Sequence, residues 1–142
     1  MTLYPCMSAL DCFPTPTEST LRRKLLVISA APLDQPTTRG LSEIHAIKAA
    51  HAPHRHLRID VVESANIDGF RRALLRHSPT FIHIIMHGND QGLMFEDELG
   101  YARLITHEHL ASFFLAHRPR FVMLSACHST TLAAKLAKIF AG

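Results

Sequence analysis

Phe81-Ile82-His83-Ile84-Ile85-Met86-His87-Gly88 is an apolar run broken by one histidine and ending in His-Gly. It is short, rich in β-branched residues, and does not alternate with polar ones. That is the pattern of a strand buried on both faces, as in a parallel sheet. Two further runs share it, Leu25-Leu26-Val27-Ile28 and Phe121-Val122-Met123-Leu124. A fourth, Leu57 to Val62, alternates more and is expected nearer an edge.

Segments of helical period lie between these runs. Asn66 can cap a helix with Ile67, Phe70 and Leu74 on one face. Thr106 can cap a second with Leu110, Phe113 and Phe114 inward, and Ser129 or Thr130 can open a third carrying Leu132, Leu136, Ile139 and Phe140. Leu41 to Ala50, with Ile44 and Ile47 inward, fills the first crossover. Leu93 to Ile105 reads as a hairpin turning around Asp97 to Gly100. Strand and helix alternate from Lys24 onward, which predicts one three-layer α/β domain over 24–142. Met1 to Arg23, with Pro5, Pro14 and Pro16, reads as a leader or linker of poor order without the pattern of a secretory signal.

Composition narrows the function classes. With 47% apolar and 19% charged residues in 142, the chain reads as a globular domain rather than a disordered one. No stretch approaches the ~20 apolar residues of a membrane-spanning helix. The net charge of +3 is spread over scattered basic residues, so neither nucleic acid nor membrane is expected as a partner. The cysteines are Cys6, Cys12 and Cys127; the first two could pair, but nothing argues for an oxidising compartment, and cytoplasm is the default. The glycines cannot be assembled into either nucleotide-binding loop pattern.

In open α/β sheets ligands gather beyond the carboxyl ends of the strands. Ser29-Ala30-Ala31-Pro32 follows the first strand, His87-Gly88-Asn89-Asp90 the third, and Ser125-Ala126-Cys127-His128-Ser129 the fourth. If the last two strands are neighbours, ~4.8 Å apart, a histidine and a cysteine meet at one sheet edge. A base beside a nucleophile is the minimal constellation for covalent catalysis. Cys127 immediately precedes a helix, whose N-terminal amides favour a thiolate. Gly88 leaves the neighbouring backbone unobstructed, so its N–H and that of Cys127 can face a developing oxyanion. The bland alternative is a buried cysteine acting as a small hydrophobe.

These residues resemble a family. Phe81 to Gly88 together with Val122-Met123-Leu124-Ser125-Ala126-Cys127-His128-Ser129 resembles the caspase clan, which includes caspases, metacaspases, separase and the bacterial CHAT peptidases. Gly92-Leu93-Met94-Phe95-Glu96-Asp97 resembles the hairpin that CHAT domains place after the His-Gly, and Leu25 to Pro32 resembles their first strand and loop. His87 and Cys127 are 127 − 87 = 40 residues apart, against the ~50 of caspases.

The resemblance implies a three-layer α/β/α caspase-like fold with a mostly parallel sheet, and a cysteine endopeptidase. His87 would be its general base, Cys127 its nucleophile, and the amides of Gly88 and Cys127 its oxyanion hole. It needs no cofactor, and its partner is a protein or peptide substrate. The clan's domain continues past the cysteine helix, so the resemblance implies a sheet incomplete at the C-terminus. That would be completed by a C-terminal fragment, or governed by a sensor or repeat domain. Alone, the chain is expected to be weakly active or inactive, and a non-catalytic binding or scaffold module is the alternative. The caspase Gln-Ala-Cys and its following glycine are missing. Ser125 stands where metacaspases carry the aspartate that helps select basic substrates.

The eleven histidines invite a metal reading, with His51, His54 and His56 in one loop and His107 and His109 opening a helix. No C-x-x-C accompanies them, so solvated histidines are expected and no metal. His83, four residues before His87 on the same strand face, reads as a core histidine or as a support for the site, as does Ser125; His128 reads as structural.

Overall fold

The computed structural model describes residues 23–53 and 56–142. Residues 1–22 of the expected leader, Cys6 and Cys12 with them, lie outside those residues, as does His54, and Arg23 already belongs to the first strand.

Four parallel strands form the main sheet: β1 (Arg23–Ser29), β2 (Leu57–Val62), β3 (Phe81–Ile85) and β6 (Phe121–Ser125), in the order β2-β1-β3-β6. The alternating β2 is indeed at an edge. Between β3 and β6 the chain makes an antiparallel hairpin, β4 (Gly92–Glu96) and β5 (Ala102–Thr106). Its tip is set by Asp97, whose Oδ1 accepts from the N–H groups of Leu99 (2.8 Å) and Tyr101 (2.9 Å). Gly100 takes φ +85° there, a conformation that costs glycine least.

The helices are α1 (Gly40–His51), α2 (Ile67–His77), α3 (His107–Ala116) and α4 (Thr130–Ala141). Two of the expected caps form. Asn66 Oδ1 accepts from the Gly69 N–H at 2.7 Å, and Thr106 Oγ1 from the His109 N–H at 3.2 Å. Each satisfies a first-turn amide and is worth about 1 kcal/mol. Helix α2 stops at Ser78, which is left-handed at φ 42° and is followed by Pro79.

The two sheet faces are covered unequally. Leu26, Ile28, Ile82 and Ile84 face Phe70 and Leu74 of α2, Phe114 of α3, Leu132 and Leu136 of α4, and Phe95 of the hairpin. Phe70 sits among Phe95, Phe113 and Phe114, with ring centroids 5.7–6.1 Å apart. The opposite face carries Val27 and Ile85 against Ile44 of α1. That is the α/β/α arrangement of a caspase-like fold.

One expectation fails. β6 was read as buried on both faces, yet it is the second edge of the sheet, and Phe121 and Met123 are 55% and 47% exposed. The helix after β6 covers only its Val122 and Leu124 side, and α1 does not reach across to the other.

Candidate functional site

The strand order reverses direction between β1 and β3: β2 follows β1 to one side, and β3 returns to the other. Such a switch point opens a crevice at the carboxyl ends of the strands. The loop after β1 (30–39), the His-Gly turn after β3 and the cysteine turn after β6 all meet there.

β3 and β6 are paired in parallel register, Phe81 with Phe121 through Ile85 with Ser125. His87 and Cys127 each lie two residues beyond the last pair, so the register delivers them to equivalent positions on neighbouring strands. The Met86 N–H donates to the Ser125 carbonyl at 3.3 Å, carrying the pairing one step past the sheet. His87 and Cys127 line one shallow cleft of ≈ 260 Å³, with Ser125, Thr38, Arg39 and Glu43. The thiol of Cys127 is exposed and has no disulfide partner among the described residues.

The His87 ring is fixed from the far side. Its Nε2 lies 2.5 Å from the carbonyl oxygen of Pro36, in the loop after β1. A carbonyl only accepts, so Nε2 carries the proton and Nδ1 is left as the basic nitrogen.

Gly88 is closely packed on its Cα side. A Cβ there would come within 2.7 Å of the Cys127 carbonyl oxygen and 2.8 Å of Leu93 Cδ2. Only a glycine lets the His87 turn lie directly on the Cys127 turn. Around it, the His87 carbonyl accepts from Met94 (2.8 Å) and the Asn89 N–H donates to Gly92 (3.0 Å), a short antiparallel bridge pairing Gly88 with Leu93. The N–H groups of Gly88 and Cys127 have no acceptor among the described residues.

The helix after the cysteine turn opens where the sequence places it, at Ser129 and Thr130. His128 takes φ 54°, Ser129 is the cap without a side-chain bond, and α4 starts at Thr130. A left-handed residue therefore separates the thiol from the helix and turns the chain back toward it.

His83, expected as a core histidine or a support, and Ser125, expected as a support, are joined to each other. His83 Nε2 is 2.9 Å from Ser125 Oγ and 3.4 Å from Oε2 of Glu43 on α1. His83 is 8% exposed; burial pushes its pKa below 6.5, partly opposed by the Glu43 carboxylate.

Several other histidines contact the scaffold. The His51 ring meets the Leu57 carbonyl, that of His107 the Asn89 carbonyl at 3.2 Å, and His109 stacks near Phe113. Among the described residues no cluster of three metal-ligating side chains forms. A larger cleft of ≈ 830 Å³ opens at the opposite, amino end of the sheet, lined by Ile47, Leu57, Ile59 and Phe81. Arg23, His51 and His56 also line it, and no cysteine or serine does.

Sequence reasoning missed Pro36 and Glu43. The first contributes a main-chain carbonyl, which any residue has, and the second sits beside Ile44, which dominated the reading of that helix.

The model of one family, the CHAT domain, matches residues 4–140. The chain belongs to that family. CHAT is a caspase-like, cysteine-peptidase-related domain, and the sheet and flanking helices of this CHAT domain agree with that fold. The match starts at residue 4, within the segment expected as a leader. No curated protein matches the chain. In this CHAT domain no helix among the described residues is long and apolar enough to cross a membrane.

Proposed function

We propose that this CHAT domain is a cytoplasmic cysteine endopeptidase in which His87 and Cys127 form the catalytic dyad. The observation that carries the reading is their delivery, at equivalent offsets from paired strands, into one cleft, with His87 Nε2 tied to the Pro36 carbonyl. His87 Nδ1 takes the Sγ proton of Cys127, and the sulfur attacks the scissile carbonyl carbon. The tetrahedral oxyanion accepts from the Gly88 and Cys127 N–H groups, which are free of other acceptors. Collapse breaks the C–N bond, and His87 returns its proton to the departing amine. A water deprotonated by His87 then hydrolyses the thioester and restores the thiol.

The test is labelling of Cys127 by iodoacetamide at about pH 6, where an unassisted thiol is almost wholly protonated. Fast labelling that slows about tenfold or more in His87→Ala supports the dyad. Labelling at the rate of a free thiol, indifferent to His87, sinks it.

A second reading, a non-catalytic binding module, is favoured by the exposed Phe121 and Met123 on edge strand β6. It predicts that slow outcome. A protein substrate, and a C-terminal fragment or a sensor or repeat domain as partner, belong to the proposal as well.

A further inference from the structure

The cleft beside Cys127 carries an asymmetric set of charges. Arg39 and Glu43 stand one helical turn apart at the start of α1. Arg39 is the residue before the helix and is exposed, so its guanidinium is at the rim, in water and salt. The Glu43 carboxylate reaches inward to 3.4 Å from His83 Nε2, on the central strand β3, and its side chain keeps 36% exposure. Among the described residues no lysine or arginine is paired with it. The carboxylate is less exposed than Arg39 and is therefore screened less by solvent and salt.

His83 does not cancel that charge. It is 8% exposed and bonded to Ser125 Oγ, and burial disfavours its protonation. The remaining walls include Ile85, Met86 and Ala126, apolar surface suited to the methylene stem of a long cation. Ser125 and Cys127 line the same cleft, so a side chain adjoining the attacked carbonyl lies within its reach.

We infer that Glu43 determines specificity, and that this cleft takes the lysine or arginine whose carbonyl Cys127 attacks. The acid missing from position 125 is thus supplied by α1 instead. The inference rests on the peptidase reading above.

It is tested on the full chain with tripeptide acyloxymethyl ketones that differ only at the residue adjoining the reactive ketone: lysine, norleucine or glutamate. The rate of Cys127 modification is followed by intact mass. The expected lysine-to-norleucine rate ratio is about tenfold or more in the wild type, since the neutral analogue leaves the carboxylate unpaired. In Glu43→Gln it falls close to one. A flat series in the wild type, a preference for glutamate, or a lysine preference that survives Glu43→Gln overturns the inference. Should Glu43→Gln fail to fold, the wild-type ratio and Glu43→Asp, expected to keep a reduced lysine preference, decide the matter. Iodoacetamide separates the two levels. Free-thiol reactivity that ignores His87 removes the peptidase reading and this inference together, whereas an activated Cys127 with a flat peptide series removes only the role of Glu43.

Discussion

The imidazole of His83 and the hydroxyl of Ser125, 42 residues apart in sequence, meet at 2.9 Å beneath the cysteine turn. The bond runs from His83, in the middle of β3, to Ser125, the last residue of β6, and so fixes the strand end from which Ala126 and Cys127 depart.

Ser125→Ala deletes that bond and leaves a buried imidazole nitrogen with one partner fewer. The expected loss is ~1–3 kcal/mol, read as a lower urea midpoint with an unchanged slope. Ser125→Thr, which keeps the hydroxyl, loses less.

Gly88→Ala forces a methyl to within 2.7 Å of the Cys127 carbonyl oxygen. Relief requires movement of main chain, so the cost is about 1–3 kcal/mol in thermal unfolding. Labelling of Cys127 changes as well, because the contact is with its own peptide. A variant as stable and as reactive as the wild type would contradict the close approach.

Acid acts on His83 and Glu96 in opposite senses. Between pH 6.5 and the lowered folded value of His83, the unfolded chain binds a proton that the folded chain refuses. Stability is therefore full above that window and falls as pH drops through it. Glu96, 7% exposed, has its pKa raised by burial, partly offset by Ser64, and its Oε2 has no partner among the described residues. Between the ordinary glutamate range and that raised value the folded chain holds the extra proton, so this contribution falls as pH rises. Urea midpoints at about pH 5 and about pH 7.5 should show the acid-side loss shrinking in His83→Leu. Glu96→Gln should stabilise the chain by about 1 kcal/mol at the higher pH and less at the lower.

Pro36→Ala retains the carbonyl that holds His87. It should cost only ~0.4–1 kcal/mol of stability, through a freer unfolded chain, and slow Cys127 labelling far less than His87→Ala does. A loss of labelling equal to that of His87→Ala would mean that the ring of Pro36, and not its carbonyl, positions the histidine.

Much of the architecture was legible because burial leaves a mark on composition. Leu25–Ile28 and Phe81–Met86 are apolar on both faces because α1 covers one side of β1 and β3 and the other helices cover the opposite side. The same rule misread Phe121 and Met123, which are apolar without being covered. Position after a strand was enough to nominate His87, Gly88 and Cys127. Pro36 was illegible since its contribution is a peptide carbonyl, identical at every residue. Glu43 and the close contact of Gly88 depend on which turn lies over which, and the strand order that decides this cannot be read from periodicity.

That strand order also fixes a sequence of events. β1 pairs with β3 across 81 − 25 = 56 residues, and β3 with β6 across 121 − 81 = 40. Closing such long loops is slow compared with forming a helix or the β4–β5 hairpin. Cys127 comes to stand beside His87 only when β6, the last strand, docks on the sheet. Until that pairing forms, no strand register holds the thiol near the imidazole, so any reactivity of the pair depends on the docking of β6.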